Sequence, residues 1–126
     1  MAVLAMLAGI INFLLNPYNQ LPKKDISFEE IERLPGPILF VDARNAVVFD
    51  AGHITDAVNL PENDFDRYVN IFLDKWAPGS QVVVYCDIDR CNAGEAVAYR
   101  LREDFQLNNI YVLKDDWRLW EKYQRR

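Results

Sequence analysis

Two thiols are the residues of this chain best suited to do chemistry. Cys86 and Cys91 are its only cysteines, five positions apart in the stretch QVVVYCDIDRCN, residues 81–92. Three β-branched valines and Tyr85 lead straight into Cys86. There the apolar run stops, and a helical pattern starts at Asn92. This is the pattern of a buried strand, a tight loop that opens on a thiol, and a helix beginning where the loop ends. A thiol at such a junction faces loop N–H groups and the positive end of the helix, both of which favour the nucleophilic thiolate. The competing reading is a small apolar residue that packs at a strand end. Asp42 and Arg44 are a second candidate pair. They close the apolar run Ile38 to Val41, and the carboxyl end of a buried parallel strand is where open α/β sheets place ligands. A surface ion pair is the alternative. The single histidine, His53, lies between Gly52 and Ile54 beside the core, a setting for a hydrogen-bonded structural residue rather than a catalyst. One histidine and two cysteines at these spacings match no zinc pattern, so no metal is expected.

The elements that must position these residues alternate between helix and strand. Ser27 with Glu30 three residues on is a capping box, opening a short helix with Phe28, Ile31 and Leu34 on one face. Pro35-Gly36-Pro37 stops it. The continuous apolar run 38–41 predicts a strand buried on both faces. A helical turn over 45–51 ends at Gly52, and residues 57–60 form a short strand. Phe65, Tyr68, Val69, Phe72, Leu73 and Trp76 recur at threes and fours, predicting a helix from Asn63 or Asp64 to Trp76 with an aromatic core stripe. After the central strand, a helix over 92–104 carries Ala93, Ala96, Val97 and Leu101 on one face, small enough to lie close to a sheet. Residues 109–113 form the last strand. A final helix starts at Asp115 or Asp116 and holds Trp117, Trp120 and Tyr123. The expected fold is α/β, a mainly parallel central sheet with helices on both faces, preceded by an N-terminal apolar helix.

Composition narrows the function classes. The 126 residues suffice for one domain with a core. The net charge of −5 without a basic run excludes a nucleic-acid footprint. Two cysteines do not make a secreted disulfide scaffold. Residues 1–15, MAVLAMLAGIINFLL, carry no charge. As a helix they would span about 22 Å, short of the roughly 30 Å hydrocarbon core. They fit the end of a truncated membrane anchor, a short anchor that thins the bilayer, or a helix packed on the domain or a partner. The anchor is the expected reading. Lys23 and Lys24 after it would hold the domain on the cytoplasmic side, with a soluble cytoplasmic domain as the alternative. Residues 16–24, with two prolines and no periodicity, form a linker, and the domain runs over 25–126.

The order of these motifs resembles the rhodanese-like, single-domain sulfurtransferase family. ISFEEIERL is similar to its opening helix, and FVDAR (residues 40–44) to its Asp-x-Arg strand end. FDAGHITDAVNLP (49–61) is similar to the segment usually written Gly-His-Ile, Gly-Ala, Asn-Ile-Pro. VVVYC (82–86) is similar to the strand that delivers the active-site cysteine, and NIYVLKDDWRLW (109–120) to the closing strand and tryptophan-bearing helix. The resemblance covers residues 25 to 123. It implies that the Cys86 thiolate takes sulfane sulfur from a small-molecule or protein-bound donor, becomes a persulfide, and yields that sulfur to a thiol or cyanide-type acceptor, with no metal or organic cofactor. It implies that Asp87, Ile88, Asp89, Arg90 and Cys91 form the substrate-binding loop, that Asp42 and Arg44 support that loop, and that His53 is structural.

Departures from the family pattern refine the expectation. The loop holds two aspartates, one arginine and no glycine. Its carboxylates oppose a thiolate and repel the thiosulfate dianion, with Arg90 offsetting part of this. Weak thiosulfate activity follows, with a neutral or protein-bound persulfide as the better donor. The phosphatase relatives of this fold need arginine six residues after the cysteine, where this chain has Asn92. Cys91 is near enough in sequence to bridge Cys86 or resolve a persulfide on it, as a dithiol redox switch, or it packs at the helix start. Asp115-Asp116 replace two glycines of the closing turn; aspartate tolerates the left-handed region better than most residues though less well than glycine, so the turn either persists at some cost or differs. A catalytically silent binding or regulatory module is the alternative to an enzyme.

Overall fold

Five short strands pair side by side and all in parallel. The computed structural model describes residues 24–87 and 92–126. Its elements are β1 (Asp25–Ile26), α1 (Phe28–Glu32), β2 (Ile38–Asp42), α2 (Ala46–Ala51), β3 (Val58–Asn59), α3 (Phe65–Lys75), β4 (Gln81–Tyr85), α4 (Asn92–Glu103), β5 (Ile110–Leu113) and α5 (Trp120–Gln124). Short 3₁₀ turns, Glu62–Asp64 and Trp117–Leu119, lead into α3 and α5. The strand order is β1-β5-β4-β2-β3. β4 is therefore central, buried at every position, and its register sets Asp42 of β2 beside Tyr85.

Alternation along β4 divides the core in two. Val82, Val84 and Cys86 join Phe65, Phe72, Val97 and Leu101 beneath α3 and α4. Val83 and Tyr85 join Phe28, Ile31, Phe40 and Trp120 beneath α1 and α5. Helices thus cover both faces, as a parallel sheet requires. The face of α4 differs in detail from the expectation: Gly94, Val97, Ala98 and Leu101 are buried, while Ala93 and Ala96 are half-buried.

Local chemistry accounts for the turns. Ser27 and Glu30 form the complete capping box, the Glu30 N–H bonding Ser27 Oγ at 3.2 Å and the Ser27 N–H bonding Glu30 Oε1 at 3.1 Å. Gly36 sits at φ +91, and a Cβ there would meet the Gly79 carbonyl oxygen at 3.0 Å, so the Pro-Gly-Pro turn requires glycine. β1, at the start of the expected domain, is a strand that the residue pattern did not single out. Two residues give no periodic signal, and it forms because the edge of β5 offers partners to Asp25 and Ile26. At Asp115-Asp116 the turn differs from one built on two glycines. Neither residue has positive φ; Asp56, Gln106 and Asn109 do. Asp115 Oδ2 instead accepts the Phe28 N–H at 2.8 Å, and Asp116 caps the turn at Trp117 by accepting the Arg118 N–H. The carboxylates serve as caps that glycine could not supply.

The apolar segment 1–15 and all of the linker but Lys24 lie outside the described residues. Among those described, no helix is long and apolar enough to cross a membrane.

Candidate active site at the carboxyl edge of the sheet

β4 ends at Tyr85, and the next residue is Cys86. The parity of the strand points Cys86 toward α3 and α4, where it is 6% exposed. It lines a cleft of about 650 Å³, together with Arg44, Asn45, Asn63, Asp87 and Arg118. Cys86 is held in a disulfide. The chain has one other cysteine, Cys91. Ile88, Asp89, Arg90 and Cys91, the rest of the expected substrate loop, lie outside the described residues.

Beneath the cleft, the carboxyl end of β2 carries a buried ion pair. Asp42 is fully buried, and the Arg44 side chain is 9% exposed. Arg44 Nε donates to both Asp42 carboxylate oxygens at 3.0 and 3.1 Å, and its Nη2 donates at 2.6 Å. The Arg44 backbone N–H adds a bond to Oδ1 at 2.9 Å, and Nη2 also reaches the Gly52 carbonyl at 2.7 Å. Burial works against the Arg44 charge, yet the hydrogen bonds and negative charge of Asp42 outweigh it and raise its pKa further. The guanidinium lies 4.4 Å from the centre of the Trp117 ring. Tyr85 closes the arrangement: its oxygen accepts the Ile54 N–H at 3.0 Å, and burial, then the Asp42 charge, push its pKa well up.

Arg44 also faces the loop. Its Nη1 is 3.7 Å from Asp87 Oδ1, on a carboxylate 60% exposed. One of the two loop carboxylates therefore has beside it a cation from the segment that follows β2. Sequence reasoning counted only Arg90 against these charges, because nothing local ties position 44 to position 87.

Other residues at the site were not singled out in advance. Asn59 Nδ2 donates to the carbonyls of Asp42 and Arg44 at 3.1 and 2.9 Å, pinning the chain as it leaves β2. Arg118 lines the cleft from the closing segment, clamped by Asp116 at 3.0 Å through both Nε and Nη2. A signal was available, since Asp116-Trp117-Arg118 repeats the Asp-x-Arg spacing of residues 42–44. His53 stands apart from the cleft. It is exposed rather than set in the core, stacks on Phe49 at 3.7 Å, and its Nδ1 lies 2.7 Å from the Phe49 carbonyl, a brace for the end of α2.

The fold and this edge can be set beside known proteins. Residues 27–123 match the family model described as Rhodanese-like domain. A rhodanese-related protein of Thermoplasma volcanium is similar in structure, with TM-score 0.54 and 15% identity over 79% of this chain and 92% of that one. The single-domain sulfurtransferase RDL2 of Saccharomyces cerevisiae gives TM-score 0.56 and 16% identity, over 82% and 92%. A persulfide form of an EanB variant, described as a tetrahedral intermediate state with ergothioneine, gives 0.52 and 22%, over 81% of this chain and 26% of that one. At these identities the likeness to the solved structures is one of fold. A comparison with curated protein sequences finds no match.

Proposed function

We propose that this chain, which belongs to the rhodanese-like domain family, is a sulfurtransferase that carries sulfane sulfur as a persulfide on Cys86. The observation that carries this reading is the position of Cys86, the first residue beyond the central strand, lining an open cleft beside Asp87 and Arg44. With Cys86 reduced, its thiolate attacks the outer sulfur of a persulfide donor. The donor S–S bond breaks, its electron pair leaves with the donor thiolate, and Cys86 keeps the sulfur. An acceptor thiolate then attacks that sulfur and releases the Cys86 thiolate. Ile88, Asp89, Arg90 and Cys91 complete the substrate loop in this reading, while Asp42 and Arg44 hold it from beneath. The loop carboxylates make thiosulfate a poor donor and a neutral or protein-bound persulfide a better one.

Mass spectrometry of reduced protein incubated with cysteine persulfide tests the proposal. Wild type gains one sulfur atom and Cys86→Ser gains none. Uptake from no donor would leave a binding module without catalysis. Brisk steady-state turnover with low millimolar thiosulfate would remove the donor preference.

The disulfide at Cys86 favours a second role, a redox switch that blocks the nucleophile until a dithiol supplies two electrons and two protons. Peptide mapping after mild peroxide tests it. A Cys86–Cys91 bridge supports the switch, and over-oxidised Cys86 alone counts against it. Residues 1–15 would tether the domain to a membrane on the cytoplasmic side. Fractionation of full-length protein and of a form lacking these residues separates that from a soluble cytoplasmic domain.

A further inference from the structure

The core beneath α1 and α5 contains an unbroken line of aromatic rings. Trp117 lies against Tyr85, Tyr85 against Phe40, Phe40 against Trp120, and Trp120 against Tyr123. Successive ring centroids are 5.4, 6.5, 5.3 and 5.9 Å apart. Phe28 braces the outer end, 5.3 Å from Trp120 and 5.1 Å from Tyr123. Packing accounts for rings in a core, but the two ends of this line differ in a way that packing does not require.

The inner end is a poor place for a missing electron. The Arg44 guanidinium lies 4.4 Å from the centre of the Trp117 ring and 5.9 Å from that of Tyr85. A cation attracts a neutral ring, yet repels one that has lost an electron and become positive. The Trp117 indole N–H is buried and has no hydrogen-bond partner. An oxidised indole there has no group to take its proton, and its charge stays in a buried site.

The outer end is the reverse. The Tyr123 hydroxyl donates to Glu32 Oε2 at 3.1 Å, at the surface. Glu32 also accepts from Arg126 at 3.2 Å, and these bonds hold its carboxyl below the ordinary range and ionised. A phenol that loses an electron beside this carboxylate passes its proton across and stays neutral. Arg126 lies 3.8 Å from the Tyr123 ring centre, and it does not repel a neutral radical. Between the ends, Phe40 is too hard to oxidise to hold the charge, and its ring fills the gap between Tyr85 and Trp120 with packed atoms.

We propose that this line of rings carries one-electron oxidation from Trp117, beside the cleft residue Arg44, outward to Tyr123, a protective activity independent of sulfur transfer. A one-electron oxidant, of which azide radical is the probe, first takes an electron from Trp117. An electron then passes from Tyr123 to the oxidised indole through Tyr85, Phe40 and Trp120, and the Tyr123 proton moves to Glu32. Trp117 returns to its closed-shell form and Tyr123 is left as a neutral radical. A soluble reductant such as ascorbate supplies the missing electron, and Glu32 returns the proton.

Pulse radiolysis of full-length protein with azide radical tests this, because tryptophan and tyrosine radicals absorb at different wavelengths. In wild type the tryptophan signal is expected to convert to the tyrosine signal at a rate independent of protein concentration. Tyr123→Phe keeps the ring and should lose most of the tyrosine signal. Glu32→Gln keeps an acceptor but not its basicity. It should slow conversion roughly tenfold or more and change the solvent deuterium isotope effect, which a packing role would not move. Mass spectrometry after repeated pulses should find more oxidised Trp117 in Tyr123→Phe than in wild type. Conversion undiminished in Tyr123→Phe, a rate proportional to protein concentration, or equal Trp117 oxidation in the two proteins would each overturn the proposal.

Discussion

Asp42-Ala43-Arg44 and Asp116-Trp117-Arg118 are the same device in two settings. Each lies at the carboxyl end of a parallel strand that flanks β4, namely β2 or β5. In each, the arginine N–H bonds the aspartate Oδ1, at 2.9 and 3.1 Å, and the guanidinium forks onto the same carboxylate. Both arginines line the cleft that holds Cys86. The settings differ in water. The first pair has side-chain exposures of 0% and 9%, the second 24% and 62%. Three residues suffice to form the fork, but its energetic weight comes from what surrounds it. A buried carboxylate stripped of its partner has no solvent to fall back on, whereas an exposed one exchanges a bond to arginine for bonds to water.

Substitutions can break this comparison. The largest effect is expected from Asp42→Asn, which leaves the Arg44 charge buried without its counter-ion and should cost about 3–5 kcal/mol in urea unfolding. Asn59→Ala comes next. It strips the side-chain donor from two backbone carbonyls and should cost about 1–3 kcal/mol, with Cys86 still able to take up sulfur after refolding at low temperature. Arg118→Gln, acting on the exposed pair, should cost less than about 1 kcal/mol, and that small cost should shrink further in high salt. Equal losses at Asp42 and Arg118 would mean that burial does not separate the two pairs.

Acid titration sharpens the same contrast at its weakest end. Side-chain hydrogen bonding by Arg118 comes first among the influences on Asp116 and holds its carboxyl below the ordinary aspartate range, against a smaller effect of burial. A carboxyl whose folded pKa is depressed contributes stability above its unfolded pKa, of about 3.9, and loses it as pH falls through the folded value. The small difference in stability between wild type and Asp116→Asn should therefore be present at neutral pH and vanish in strong acid. Unfolding curves across that window measure it.

Much of the fold was legible because its signals are local. The capping box at Ser27, the stripe of α3 and the apolar run of β4 each lie within a few residues, and each element formed where it was expected. The candidate cysteine was legible for the same reason, since a thiol at the end of an apolar run is a local pattern. The misses have a common cause. β1 is two residues long and exists only because β5 has an open edge. The role of Asp115 was not legible because its partner, the Phe28 N–H, is 87 positions away. Arg118 was overlooked because the turn that carries it is brought to the cleft by the order of the strands.

By itself the sequence determined most of the segments that become strands and helices, that the sheet is mainly parallel, and that a thiol stands at the end of one strand. Periodicity, capping and the stiffness of β-branched residues act over a few positions, and the chain's own order carries them. The tertiary structure decided which charges matter. It buried Asp42 and Arg44, brought Arg44 within reach of Asp87, and brought Arg118, clamped by Asp116, to the cleft that holds Cys86. Those outcomes depend on desolvation and on neighbours distant in sequence, and neither exists until the sheet has assembled.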